Sequence, residues 1–222
     1  MRILAINDIS CVGKCSLTVA LPIISACGIT CDVLPTALLS THTGGFEGYT
    51  FRDLSEDIPS ILAHWKKLGL SFDFIYSGYL GNISQIDTVL SVKKNFLAPH
   101  GKFVVDPVMG DGGKLYAHFN FHFVEKMRAL CSEADFILPN VTEACLLAGE
   151  NYPQNGEALP AEKIVQKLSS LHTCPIVTGV EEGEENAVYY TKENRVLRHA
   201  EKNAAGFFHG AGDVFAAAFT GC

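Results

Sequence analysis

The run His209-Gly210-Ala211-Gly212-Asp213 has the composition of a site for phosphoryl transfer. An apolar helical segment follows it, and its two glycines let backbone N–H groups close on an anion at a helix N-terminus. Asp213 lies at the mouth of this anion site, where a carboxylate can accept the proton of an attacking hydroxyl. Ordinary capping of the helix by an aspartate is the alternative interpretation.

Asn140 and Glu143 form a second candidate site, three residues apart at the start of another predicted helix. Glu143 can hold Mg²⁺ through water, while Asn140 faces a phosphate group. The alternative is a capping box, in which Asn140 is the N-cap and Glu143 bonds back to it. The residues alone leave both interpretations open.

A third candidate is the stretch 106–113, which contains two carboxylates, Asp106 and Asp111, and three glycines. It is interpreted either as a cation site or phosphate-approach loop, or as an ordinary glycine turn. The sequence contains no G-x-x-x-x-G-K-[ST] motif, and residues 1–13 contain no G-x-G-x-x-G motif. A nucleotide must therefore be held in some other way than by these two motifs.

The elements that position these residues follow from hydrophobic periodicity. Short apolar runs predict buried parallel strands, and segments of helical period lie between them. The predicted strands are 2–6, 72–76, 102–105, 135–138 and 175–177, and the predicted helices include 16–26, 54–68 and 164–171. This alternation predicts an α/β fold with a mostly parallel central sheet flanked by helices.

Three local patterns refine that scheme. Asp53 and Glu56 have capping-box spacing, which predicts the start of the second helix. Segments 186–191 and 195–199 predict an antiparallel hairpin. Four polar residues follow predicted strands, so we expect a ligand site at the carboxyl edge of the sheet. These residues are Asp8, Asp106, Asn140 and Thr178.

Length and composition bound the remaining possibilities. The 222 residues suit one domain with a sizeable core, and the 48% hydrophobic content excludes disorder. No apolar run approaches the ~20 residues of a membrane helix, and the first residues lack a secretory signal, so we expect a cytoplasmic protein. The net charge of -7 disfavours nonspecific nucleic-acid binding.

The eight cysteines are expected to be free thiols, because the chain is neither small nor visibly secreted. Four cysteines near the N-terminus have the number of ligands of a four-thiolate zinc site but not the spacing. They are Cys11, Cys15, Cys27 and Cys31. The predicted helix between Cys15 and Cys27 separates them by twelve steps, or ~18 Å. Thiolates that share one zinc ion lie within about 4 Å of each other, so this spacing disfavours zinc.

Taken together, these motifs resemble the ribokinase-like kinases. Gly210-Ala211-Gly212-Asp213 is similar to their anion hole and catalytic base, and Asn140 to Glu143 is similar to their N-x-x-E magnesium motif. Stretches 40–44, 76–79 and 106–111 look like the corresponding segments of pyridoxal kinases, in the same order along nearly the whole chain.

The resemblance implies a ribokinase-like three-layer sandwich, formed by residues 1–222 as a single domain. It also implies transfer of the γ-phosphoryl of ATP to the hydroxymethyl group of pyridoxal, pyridoxine or pyridoxamine. Mg²⁺ would be the cofactor, a monovalent cation such as K⁺ is a further candidate, and a homodimer is expected. Nucleic acid and membrane are not expected as partners.

The same resemblance assigns roles to individual residues. Asp8 would meet the pyridine ring, with His42, Thr43 and Tyr79 lining the acceptor pocket. The glycine-rich stretch 43–48 would belong to a lid that excludes water. The expected nucleotide contacts are Asp106, Asp111, Asn140 and Thr178, and the expected magnesium ligands are Asp106 and Glu143. Gly210, Ala211 and Gly212 would form the anion hole for Asp213.

The sequence also departs from the pyridoxal kinase pattern. Asp8 replaces a serine common there, Ala211 replaces a threonine, and Tyr116 lies where some bacterial relatives have a cysteine. The chain ends within the helix that Asp213 begins, so it is expected to lack the family's C-terminal segment.

Two alternative functions stay open at this point. One is a hydroxymethylpyrimidine kinase of the same superfamily, which Asp8 also suits. The other is a noncatalytic vitamin-binding fragment. A sugar or nucleoside kinase fits less well, because Tyr79 and His42-Thr43 suit a flat aromatic ring better than a polyol.

Overall fold

The computed structural model describes residues 1–154, 157–204, 206 and 208–222. The chain forms two compact units. The first contains Met1–Asp106 and Phe208–Cys222, and the second contains Pro107–Phe207. Each unit is described below by itself, with helices and strands numbered in chain order. The single-domain organisation stays a prediction.

The first unit contains five neighbouring strands in the order β5-β4-β1-β2-β3. Their bounds are β1 Arg2–Val12, β2 Thr30–Thr41, β3 Phe51–Asp53, β4 Phe72–Ser77 and β5 Leu97–Val105. β1 pairs in parallel with β2 and β4, and β4 pairs in parallel with β5, whereas the short β3 is antiparallel to β2. Because β1 is buried on both faces from Ile3 to Asp8, most of that stretch is a continuous apolar run.

Four helices belong to the same unit: α1 Leu17–Ala26, α2 Ile58–Lys67, α3 Ile83–Phe96 and α7 Ala211–Gly221. α1 packs against both β1 and α7, which places the N-terminus of α7 beside the chain that follows β1. Cys15 and Cys27 flank α1, so the helix separates these two thiols as predicted.

The predicted capping box at Asp53 is wrong. Asp53 is the last residue of β3, and α2 begins at Ile58, where Pro59 supplies the favourable backbone angle of a first turn. The Asp53 carboxylate instead accepts hydrogen bonds from Asn82 Nδ2 at 2.7 Å and Gln85 Nε2 at 3.1 Å. The Ser55 N–H at 2.7 Å and hydroxyl at 2.5 Å also donate to it, so local and distant partners together occupy the carboxylate that would have capped the helix.

The second unit contains four neighbouring strands in the order β11-β10-β9-β8. Their bounds are β8 Phe136–Ile137, β9 Cys174–Glu182, β10 Glu185–Lys192 and β11 Arg195–Lys202. β8 and β9 are parallel, and β10 is antiparallel to both of its neighbours. The predicted hairpin is therefore confirmed, with Glu193 and Asn194 at φ 51° and 59° in its tight turn.

The remaining elements of the second unit surround its loops. A small antiparallel pair consists of β6 Gly110–Asp111 and β7 Lys114–Leu115, and the helices are α4 Phe121–Cys131, α5 Val141–Ala148 and α6 Ala161–Ser169. Across the described ranges of the chain, no helix combines the length and apolarity needed to cross a membrane.

The parallel strands occur where the apolar runs predicted them, but two functional candidates do not lie at strand ends. β1 continues past Asp8 to Val12, with a register shift between Asn7 and Ile9. Thr178 lies inside β9, because that strand continues into the hairpin that the sequence predicted separately. Asp106 does follow the end of β5, and Asn140 follows β8 after two residues.

Candidate active site

The N-terminus of α7 is shaped by Gly210. Its φ of 76° is in the left-handed region, and a Cβ there would lie 2.1 Å from the carbonyl oxygen of Lys14. Only glycine fits this close approach without strain. Ala211 and Gly212 are exposed on the first turn, where the N–H groups of a helix have no partner within the helix. This geometry suits an anion.

Asp213 is the third residue of α7 and does not cap it. The N-cap is Gly210, and no side chain among the described residues caps this helix. The capping alternative is therefore not what the structure contains. Asp213 is half-buried, and its carboxylate interacts with the backbone of Ser16.

The ionisation of Asp213 is shifted towards neutrality. Burial raises its pKa to about 6, the negative charge of Asp8 raises it as well, and interactions with the Ser16 backbone and the Asn7 side chain oppose the rise. A carboxylate with such a pKa is mostly ionised at neutral pH, yet is more basic than an ordinary aspartate. That combination suits a general base.

Asp8 is buried within β1 and is held by two hydroxyl groups. Ser16 Oγ donates to Asp8 Oδ1 at 2.5 Å, and Ser10 Oγ donates to Asp8 Oδ2 at 3.1 Å. Burial raises the pKa of Asp8, and these hydrogen bonds oppose that rise.

Ser16 interacts with both carboxylates, because its hydroxyl donates to Asp8 and its backbone lowers the pKa of Asp213. The residue adopts φ 54° and ψ -136°, which is rare for serine. Strained backbone of this kind tends to occur at functional sites. The sequence analysis identified neither Ser16 nor Ser10. Ser10 could have been recognised by its i to i+2 spacing from Asp8, which places both side chains on one face of a strand, but the predicted strand ended at residue 6.

The other acceptor-pocket candidates belong to the same unit as Asp8. Burial raises the pKa of Tyr79 to about 12, and the charge of Asp8 adds to this rise. The His42 ring lies 4.8 Å from the ring of His209, and its Nδ1 accepts from the Gly44 N–H at 3.2 Å. Thr43 is exposed in the turn that follows His42.

Asp106 is the third candidate carboxylate of the first unit, after Asp8 and Asp213. Its N–H donates to the Ser77 carbonyl at 2.8 Å, and the residue is 8% exposed. Its charge acts on the buried hydroxyl of Tyr76 together with those of Asp8 and Asp213, and all three raise the pKa of that phenol beyond the effect of burial. Three carboxylates therefore act electrostatically on Tyr76.

The candidates of the second unit surround the start of α5. The capping box is present: Asn140 Oδ1 accepts from the Glu143 N–H, and Glu143 Oε2 accepts from the Asn140 N–H, both at 2.9 Å. Asn140 Nδ2 donates to the Gly110 carbonyl at 2.9 Å, and Asn140 forms a β-bridge with Thr178. Asn140, Glu143 and Thr178 are thus brought together.

Glu143 is buried, and burial raises its pKa to about 8, with the charge of Asp111 adding to the rise. Its Oε1 also accepts from the Met109 N–H at 3.1 Å. A nearby cation would offset the repulsion between Glu143 and Asp111, so the pair fits a magnesium ion held through water. No cluster of three or more His, Cys, Asp or Glu side chains is arranged for a metal in the portion of the chain that the structure describes.

Residues 24–222 match the family described as phosphomethylpyrimidine kinase. The chain belongs to this family. Membership of the phosphomethylpyrimidine kinase family confirms the expected ribokinase-like class. It does not test the role of any individual residue, so the site assignments stay predictions.

Solved structures and curated relatives agree with the family. A Bacteroides thetaiotaomicron protein named "putative phosphomethylpyrimidine kinase", crystallised with pyridoxal, is 38% identical with a TM-score of 0.92 over 99% of this chain and 79% of that one. Pyridoxal kinase from Lactobacillus plantarum is 34% identical with a TM-score of 0.91 over 99% and 79%. These similarities confirm the α/β fold with a mostly parallel sheet flanked by helices.

A Schizosaccharomyces pombe protein named "Putative pyridoxal kinase C6F6.11c" is 28% identical over 97% of this chain and 72% of its own length. The chain spans 63% and 56% of two further curated relatives.

Proposed function

We propose that this member of the phosphomethylpyrimidine kinase family transfers the γ-phosphoryl group of ATP to the hydroxymethyl group of a B6 vitamer. The observation that carries the proposal is the start of α7, where Gly210 opens the backbone and Asp213 carries a raised pKa beside exposed helix N–H groups. Phosphoryl transfer to an alcohol requires an anion site next to a carboxylate that can accept a proton.

Asp213 is the general base in this proposal. It accepts the proton of the acceptor hydroxyl as that oxygen attacks the γ-phosphorus. The Ser16 backbone favours the ionised carboxylate, while the N–H groups of Ala211 and Gly212 would stabilise the charge of the transferred group. Because little covalent chemistry falls to the protein, positioning and electrostatics supply most of the catalysis.

Asp8 gives the site its preference for a protonated heteroaromatic ring. Its carboxylate is buried and carries only neutral hydroxyl partners, Ser10 and Ser16, in the hydrogen bonds described above. A pyridinium N–H would offset the cost of burying this charge. Tyr79 and His42 supply flat surfaces beside it, and Thr43 lies in the turn that we assign to the lid.

The nucleotide and metal assignments are part of the same proposal. Within the first unit the assigned residue is Asp106. Within the second unit the assigned residues are Asp111, Asn140, Glu143 and Thr178. Mg²⁺ would neutralise phosphate charge when bound. A monovalent cation such as K⁺ and a homodimer remain predictions from the family resemblance, and a cytoplasmic location remains a prediction from the sequence.

A hydroxymethylpyrimidine is the second candidate acceptor. The matching family carries the phosphomethylpyrimidine kinase description, and Asp8 suits a pyrimidine ring as well as a pyridine ring. The same base and anion site would serve either alcohol. Discrimination between them rests on the acceptor pocket and not on the chemistry at Asp213.

A substrate panel tests the proposal. ADP release is measured with the purified chain, ATP and Mg²⁺ against pyridoxal, pyridoxine, pyridoxamine, hydroxymethylpyrimidine and ribose, with EDTA as the metal control. We expect the largest kcat/KM for a B6 vitamer. A larger value for hydroxymethylpyrimidine would support the second candidate, and the absence of acceptor-dependent ADP release with every alcohol would refute the kinase assignment.

A further inference from the structure

Asn7 is a buried side chain that the proposed mechanism does not yet use. It is 1% exposed at the register shift of β1. Its Oδ1 accepts two backbone hydrogen bonds, from the Asp8 N–H at 2.9 Å and from the Tyr79 N–H at 2.8 Å. These two bonds fix the orientation of the amide, because an oxygen that accepts two N–H groups cannot exchange places with the NH₂ group.

The other end of the amide is unsatisfied. Asn7 Nδ2 is buried without a hydrogen-bond partner in standard geometry among the described residues. A buried donor left unpaired is costly, so such a group calls for an explanation. Gly78 makes room for it, because a Cβ at that position would lie 2.2 Å from Nδ2.

Nδ2 lies between two groups of the candidate active site. Tyr76 is paired in register with Ala5, and Asn7 is two residues further along β1, so Asn7 and Tyr76 lie on the same face of the sheet. The start of α7 lies beside the chain that follows β1, since a Cβ on Gly210 would lie 2.1 Å from the Lys14 carbonyl oxygen. The Asn7 side chain interacts with Asp213 and with the Tyr76 hydroxyl, and it lowers the pKa of both. The unpaired donor can therefore serve the carboxylate on α7 or the Tyr76 hydroxyl.

We propose that Asn7 is a positioning residue for Asp213, and that its locked amide donates to the carboxylate and keeps it ionised and turned towards the acceptor. This inference rests on the proposed role of Asp213 as general base. Asn7 itself touches neither ATP nor the acceptor in the proposal, and it acts through Asp213 alone.

The other groups around Asp213 explain why such a donor is needed. Asp8 on β1 and burial both raise the pKa of Asp213, and Ser16 opposes them. Cys15, before α1, also interacts with the charge of Asp213, as does the buried Tyr76 on β4. Since Asp8 is a like charge and Cys15 and Tyr76 carry raised pKa values, none of them supplies a positive charge.

The test replaces the donor while keeping the shape. Asn7→Asp retains an oxygen for the N–H groups of Asp8 and Tyr79 but removes the N–H aimed at Asp213. Asn7→Ala removes the donor without adding charge, and serves if the first variant does not fold. Ser77→Ala is the matched control, because Ser77 has another buried unpaired oxygen on the neighbouring position of β4, facing the opposite side of the sheet.

Two measurements are made on the full 222-residue chain. The first is the acid limb of kcat against pH, and the second is the carboxyl ¹³C NMR titration of Asp213, assigned by comparison with Asp213→Asn. We expect both midpoints to move upward by about one to two pH units in Asn7→Ala, the size expected on losing one hydrogen bond to a charged group. The shift should be at least as large in Asn7→Asp, which also adds a like charge. Ser77→Ala should leave both midpoints unchanged.

Unchanged midpoints in folded Asn7→Asp and Asn7→Ala would overturn the inference, as would an equal shift in Ser77→Ala. The two readouts separate this failure from failure of the proposed function. A parent chain without acceptor-dependent turnover contradicts the kinase proposal, whereas the NMR midpoint still decides whether Asn7 acts on Asp213.

Discussion

Substituting Asp8 by asparagine gives a sharp test of acceptor recognition. Asp8→Asn keeps the size of the side chain and an oxygen for the Ser16 hydroxyl, which lies 2.5 Å from Asp8 Oδ1. It removes the charge that the proposal pairs with a protonated ring nitrogen. A hydrogen bond to a charged group contributes about 1.5–3 kcal/mol, so KM for the vitamer should rise by about 10- to 150-fold.

The same substitution should change Asp213 in a defined direction. The charge of Asp8 raises the pKa of Asp213, which is about 6 in the parent. Removing that charge should therefore move the acid limb of kcat to lower pH. KM for ATP should change little, because Asp8 belongs to the acceptor side of the proposal.

The assay is steady-state ADP release with each substrate varied in turn, repeated across pH. Ser10→Ala is the matched control, since it removes the 3.1 Å bond to Asp8 Oδ2 and leaves the charge. Equal increases of KM for the vitamer and for ATP would refute the reasoning about the ring. An acid limb that moved to higher pH would refute the electrostatic coupling between Asp8 and Asp213.

Two further sites yield predictions. Glu143→Gln should lower the free energy of unfolding by about 1–3 kcal/mol in urea denaturation, because it places an NH₂ group against N–H donors such as that of Met109. Burial raises the pKa of Glu143 to about 8, so the free energy of unfolding of the parent should fall as pH rises from about 4.5 through 8. The free energy of unfolding of Glu143→Gln should fall less over the same range. Identical pH slopes for the two proteins would contradict this. Gly210→Ala should lower the free energy of unfolding by about 1–2 kcal/mol or more, the cost of a left-handed backbone for an L-residue. Gly210→Ala should also remove most of the activity, because a Cβ at that position meets the Lys14 carbonyl oxygen. The control is Gly212→Ala, which has open space around it and should leave the melting temperature nearly unchanged.

The sequence predicted those features that depend on local pattern. The parallel strands follow from continuous apolar runs, the hairpin follows from two alternating segments around a polar turn, and the glycines before Asp213 indicate an open helix start. These features need only neighbouring residues to be recognised. The family match and the solved relatives then confirmed the class of fold.

The features that the sequence did not predict depend on hydrogen-bond partners far apart in the chain. Asp53 was expected to cap a helix, but it binds Asn82 and Gln85, which lie 29 and 32 residues further along the chain. Asn7 is locked by the N–H of Tyr79, 72 residues away.

Ser16 acquires its importance from a left-handed backbone that places it between Asp8 and Asp213. No pattern of residue types predicts such an arrangement, because it depends on how α1 and α7 pack beside β1.

The role of Asp213 as general base is decided by kcat of Asp213→Asn with the best acceptor and saturating ATP and Mg²⁺. Asparagine has nearly the same shape and α7 is capped at Gly210, so the fold and both binding steps should persist. We expect kcat to fall by roughly 10²–10⁴-fold, the usual contribution of a positioned base, with an unchanged melting temperature. A folded Asp213→Asn protein with kcat within a few-fold of the parent would contradict the proposed mechanism.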